Sequence, residues 1–300
     1  MSEYISSQNK SNDYSKELPF FHRFSKGTYI RENNQIELVE FNTQGNFISY
    51  KIDDSLKILN FNDFSINNFI TVKMNCYKFF QENTLLHSLN NEIFYLSVYT
   101  NDYTAKFDCK SPISAISVDS YNDLFMASCV NNFNIFDIRY QNPTLIFKDF
   151  SEDSIGSINT DKKCVIMDYN QLRIYDFRQP IKPVIKKNIN VNGLISNVKY
   201  TPDNDKIILQ SQFFYKCLDT QGNLLNTITF ENPNSADVTP YSTELICCSG
   251  NYLHAYKIKD GNKLDTIDIG SNKYHTLLHD PSGSSAIVLA ADNLLTSFIY

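Results

Sequence analysis

The stretch Phe133-Asn134-Ile135-Phe136-Asp137-Ile138-Arg139 returns thirty-nine residues later as Leu172-Arg173-Ile174-Tyr175-Asp176-Phe177-Arg178. Each copy opens on an apolar residue, reaches a large aromatic and closes on Asp, with Arg two positions on. Short runs of this kind, rich in aromatic and β-branched residues, read as strands. Working outward, the same core recurs as Leu56-Lys57-Ile58-Leu59-Asn60, Ile93-Phe94-Tyr95-Leu96-Ser97 and Tyr215-Lys216-Cys217-Leu218-Asp219. It recurs again as Leu253-His254-Ala255-Tyr256-Lys257 and Leu295-Thr296-Ser297-Phe298-Ile299. The cores end at positions 60, 97, 137, 176, 219, 257 and 299, in steps of 37 to 43 residues.

Seven units at this period identify a repeat architecture, in which each unit buries its apolar surface against its neighbours. Before each core lies a second β-rich run, such as Leu124-Phe125-Met126-Ala127-Ser128 or Ser285-Ala286-Ile287-Val288-Leu289. Turn formers precede most of these runs, as in Thr201-Pro202-Asp203-Asn204-Asp205 and Asp280-Pro281-Ser282-Gly283. Strand, tight turn, strand, loop, strand is the inner part of a propeller blade. The expected fold is therefore all-β: a seven-bladed WD-repeat β-propeller. The Trp of the Trp-Asp pair is replaced throughout, by Leu59, Leu96, Phe136, Tyr175, Leu218, Tyr256 and Phe298. All are large and apolar, so packing between blades can survive. The last unit stops at Tyr300 without an outer strand. Residues 20–30 have no blade of their own, so they are expected to supply that strand and cover the exposed edge. Residues 1–17 read as a disordered polar tail and 18–300 as one propeller.

The formal net charge of -6 argues against broad binding to nucleic acid or an anionic membrane, and no apolar run is long enough to span a bilayer. The seven cysteines are odd in number and include no C-x-x-C, which reads as reduced thiols. Cys247 and Cys248 are adjacent and should point to opposite faces of one strand. No hydrolase elbow, phosphate loop or zinc motif occurs, so no catalytic residue, cofactor or metal is expected. His275 and His279 are four apart, expected across a strand and a turn. Asp53-Asp54 reads as a turn between blade strands rather than a catalytic pair.

Arginine is scarce, and two copies occupy equivalent places after successive cores, Asp137-Ile138-Arg139 and Asp176-Phe177-Arg178. Two readings stay open. The arginines could dock an acidic or phosphorylated segment, with Arg31 joining them in a basic spot. Alternatively, each Arg is held by the Asp two residues before it.

From about Phe20 to Tyr300 the chain resembles the WD-repeat propeller subunit shared by the COMPASS (Set-type) histone H3 methyltransferase complex and the cleavage-and-polyadenylation factor. The residues that carry the resemblance are Tyr29-Ile30-Arg31-Glu32-Asn33, the blade-two ending Ile93–Tyr99 with Asn101, Tyr103 and Phe107, the endings at Arg139 and Arg178, and Leu224-Leu225-Asn226-Thr227-Ile228. The resemblance implies a nuclear scaffold without catalysis of its own. It further implies binding to the N-terminal region of the methyltransferase catalytic subunit, and to polyadenylation and termination factors and protein phosphatase 1. Contact with the phosphorylated C-terminal repeat of RNA polymerase II also follows from it. Paired Asp-x-Arg endings suit a different role as well, as substrate receptor of a cullin ubiquitin ligase.

Overall fold

A computed structural model of the chain describes residues 25–191, 193–230, 233–270, 274–283 and 286–299. They form seven four-stranded antiparallel sheets. Blades 1 to 6 take residues 37–71, 77–108, 113–148, 155–188, 195–229 and 233–268, each running from inner to outer strand in chain order. Blade 7 is built from Tyr274–His279, Ala286–Ala291 and Leu294–Ile299, and its outer strand is Ser25–Arg31 from the other end of the chain. The ring therefore closes as the missing strand implied. Residues 20–24 of that expectation, and the tail over 1–17, lie outside the described residues.

The seven repeated cores are the third strands of the seven blades, from Ser55–Asn60 in blade 1 to Leu294–Ile299 in blade 7. The runs before them are the second strands. These are packed by a neighbouring blade on each face, so they are continuously apolar rather than alternating; Ala286–Ala291 is buried at all six positions. Seven clusters of buried side chains follow, each spanning one pair of adjacent blades. Every residue at the Trp position faces the preceding blade. Phe136 packs among Phe80 and Phe107 of blade 2, and Tyr175 packs against Phe147 of blade 3 at 4.2 Å. Cys247 and Cys248 lie in different clusters, toward blades 5 and 7, and all seven cysteines are free.

Antiparallel alternation gives the disc two distinct faces. Face I carries the turns between second and third strands and the connections from blade to blade. Face II carries the turns between inner and second strands and the loops between third and outer strands. Asp53-Asp54 is one of the face I turns, and Asp53 sits at φ 51°. One local expectation is corrected: His275 and His279 lie on the same strand, Tyr274–His279, with no turn between them. His279 is committed to blade 6, its backbone N–H donating to Asp237 Oδ2 at 2.9 Å. Among the described residues no group of three His, Cys, Asp or Glu could hold a metal ion.

Candidate docking surface

The two Asp-x-Arg endings are local copies of one structure. In each, the Arg backbone N–H donates to Oδ1 of the Asp at 3.0 Å, and Nε donates to the same oxygen at 2.7 Å. Nη2 donates to Oδ2 at 2.5 Å, completing a bidentate clamp. The following backbone N–H, of Tyr140 or Gln179, donates to the Asp carbonyl at 2.9 Å. The sequence produces this because Asp ends a strand and folds the next two residues into a turn under its own carboxylate. The Arg139 side chain holds the Asp137 carboxyl below the usual carboxylate range, and Arg178 does the same for Asp176. Each guanidinium is raised in turn, chiefly by the same bond.

The clamp that confines each Arg also leaves it accessible. Both side chains are 64% exposed, whereas those of Asp137 and Asp176 are 10% and 16% exposed. Both arginines lie on face II, in adjacent blades. On the same face of blade 3 are Tyr140 and Tyr121, the latter on the short 3-10 helix Ser120–Asn122 and 85% exposed. Ile181 in the blade 4 loop is almost fully exposed. These two tyrosines and the isoleucine left no periodic signal in the sequence, since all three sit outside the strands.

The third arginine is elsewhere. Arg31 ends the outer strand of blade 7, opposite Leu294, next to the turn where Glu32 N–H donates to Asn293 O at 2.8 Å. That turn is on face I, so the structure does not bring Arg31 together with Arg139 and Arg178. The three-arginine spot is not formed. Each face II arginine is moreover paired with a carboxylate, so the patch has aromatic and guanidinium character but little net positive charge.

A different network emerges on face I, where Asp168 ends the second strand of blade 4. Its Oδ1 accepts from Ser151 Oγ at 2.7 Å and from Ser154 Oγ at 2.9 Å. Its Oδ2 accepts from Arg173 Nη2 at 2.9 Å, and the Arg173 guanidinium stacks over Phe150 at 4.6 Å. Burial opposes the Asp168 charge, and the two serines and Arg173 outweigh it, so its carboxyl is lowered. This network anchors the connection 149–154 between blades 3 and 4.

No family model matches the chain, and no curated protein matches it in sequence. Among solved structures it is similar to the beta-propeller domain of Myceliophteria thermophila Cps50 (Swd1), at 10% identity and a TM-score of 0.76. The match covers 92% of this chain and 99% of that one. At such low identity the likeness speaks to architecture, and the chain is a seven-bladed β-propeller of the same build as the Cps50 (Swd1) domain.

Proposed function

We propose that this chain is a non-catalytic docking subunit of a nuclear assembly, of the COMPASS type or of the machinery that cleaves and polyadenylates mRNA. The observation that carries the reading is the face II surface: two clamped, exposed arginines in consecutive blades, with exposed Tyr121 and Tyr140 on the same face. Tyr and Arg are the residue types enriched where proteins meet. The resemblance at Ile93–Tyr99, Arg139 and Arg178 points to the assembly, and the propeller shared with Cps50 (Swd1) is consistent with it.

In this reading Asp137 and Asp176 position Arg139 and Arg178, which touch the partner. The partner classes are the N-terminal region of a methyltransferase subunit, polyadenylation or termination factors with protein phosphatase 1, and the phosphorylated polymerase C-terminal repeat. Arg31, on the other face, serves a separate contact or none. Affinity purification with mass spectrometry tests the assignment. Methyltransferase or polyadenylation subunits should co-purify. Recovery of cullin ligase components in their place would assign the paired Asp-x-Arg endings to a ubiquitin ligase adaptor and overturn the proposal.

A further inference from the structure

Several face I turns are built from residues that suit them. The first turn position between second and third strands is Asp53 in blade 1, Asn90 in blade 2 and Gly250 in blade 6, with φ of 51°, 57° and 57°. Asp, Asn and Gly enter the left-handed region at the least cost. Blade 4 places Tyr169 there, at φ 51° and 65% exposed. A bulky aromatic is a poor choice for that backbone, and the turn itself does not need the ring. Strained exposed positions of this kind concentrate where ligands bind.

The ring has a setting. Tyr169 lines a pocket of about 230 Å³ between blades 4 and 5, with Asp153, Met167, Leu194 and Ile195. Leu194 is 59% exposed, and Phe213, 49% exposed, adjoins the pocket wall at Gly193. The volume admits one long side chain and falls short of the range for drug-sized ligands. One carboxylate, Asp153, lines the pocket, and Glu152 and Asp149 are exposed on the same connection, which Ser151, Ser154 and Asp168 hold in place. The cations that reach this region are committed, Arg173 to the Asp168 carboxylate and Lys216 to the Asn190 carbonyl.

We infer that this pocket is a second docking site, on face I, for an extended protein segment that inserts a Lys or Arg side chain beside an apolar residue. The aliphatic stem would lie against Tyr169 and Leu194, and its charged head would meet the Asp153 and Glu152 carboxylates. Charge complementarity favours a basic side chain over a phosphate or an acidic peptide at this pocket. The inference extends the docking-platform reading, yet uses none of the face II residues.

The test uses the full chain and short fluorescein-labelled peptides, one alternating Leu and Arg, the other Leu and Glu, read by fluorescence polarisation. The Leu/Arg peptide should bind and the Leu/Glu peptide should not. Tyr169→Asn should weaken binding roughly tenfold while keeping or raising the melting temperature, because Asn relieves the turn. Glu152→Gln with Asp153→Asn should weaken it comparably and flatten its salt dependence. Arg139→Ala with Arg178→Ala should leave it unchanged. The site is refuted if the folded Tyr169→Asn chain binds as wild type, if both peptides bind equally, or if the Leu/Arg peptide does not bind. None of these outcomes bears on face II, whose own arginine variant reports on it separately.

Discussion

His87 shows how one buried side chain sets a solution property. It is 1% exposed, stacks on Phe94 at 5.2 Å, and neither ring nitrogen meets a hydrogen-bond partner. Burial lowers its pKa to about 4. The folded chain therefore binds fewer protons than the unfolded chain, whose His titrates near 6.5. Above pH 6.5 both states are neutral and His87 adds no pH-dependent cost; as pH falls from 6.5 toward 4 the unfolded state gains protons and stability drops. The full loss is roughly 3 kcal/mol. Denaturant titrations at pH 7 and pH 4.5 should show a smaller loss for His87→Leu than for wild type, and equal losses would reject the assignment. Phe136 is a second case: fully buried, it stacks on Phe125 at 4.9 Å and meets Phe107 edge-on at 5.5 Å. Phe136→Ala should cost about 3–5 kcal/mol, and an unchanged thermal melt would contradict its place between blades. Arg139 and Arg178 divide differently. Their spacing was readable in the sequence, but their pairing to Asp137 and Asp176 needed coordinates, because two readings fitted the same residues. If they dock a phosphorylated segment, an Arg139→Ala/Arg178→Ala chain that folds normally should bind phosphorylated polymerase-repeat peptides more weakly than wild type does. It should bind unmodified peptides alike. Equal binding of the phosphopeptides would leave the arginines a purely structural role.

Among the elements, the third strands were the most legible, since each carries a large apolar residue in phase with the other six. Second strands were nearly as clear, for burial on both faces makes them continuous apolar runs. Outer strands left a weaker trace: Leu145–Lys148 and Ile185–Asn188 are four residues long and half exposed. The blade 4–5 pocket left none, because Asp153, Tyr169, Leu194 and Phe213 come from separate loops with no common period. Turns carry a further constraint that appears only in three dimensions. Gly45, between the inner and second strands of blade 1, has φ 74°, and a Cβ there would fall 1.8 Å from Asp280 Oδ1 of blade 7. Asp280 shapes its own turn by accepting from Ser282 N–H at 2.8 Å and from Ser282 Oγ at 2.7 Å, so it cannot withdraw freely. Gly250, at φ 57°, has nothing within 4 Å of such a Cβ. Gly250→Ala should cost about 1 kcal/mol from backbone strain alone, and Gly45→Ala about 2–3 kcal/mol from strain and collision together. Comparable melting temperatures for the two variants would show that the blade 1–7 contact is loose.

At the scale of the whole molecule, a ring of seven blades has no centre that holds it; each blade is held by its two neighbours and the last joint decides the rest. That joint is made by chain ends far apart in sequence. Ser25–Arg31 pairs with Leu294–Ile299, and Ser297 Oγ donates to the Thr28 carbonyl at 3.1 Å. Just beyond, Glu32 ties the joint to blade 1: its carboxylate accepts from Tyr50 OH at 2.6 Å and from Lys57 Nζ at 2.8 Å. Asn293 Nδ2 donates to the Glu32 carbonyl at 3.0 Å. A chain that starts at Glu32 keeps every other blade but loses this outer strand. It also bares the edge of Leu294–Ile299, a surface ready to pair with another chain. The loss of several ladder hydrogen bonds, at about 1 kcal/mol each, amounts to roughly 5 kcal/mol. For a domain this large that lowers the melting temperature by roughly 10 °C. The truncated chain should also form concentration-dependent oligomers by light scattering, and a peptide spanning 25–31 added in excess should restore the monomer. A truncated chain that melts with wild type and stays monomeric would mean that the interfaces between blades close the ring without the strand.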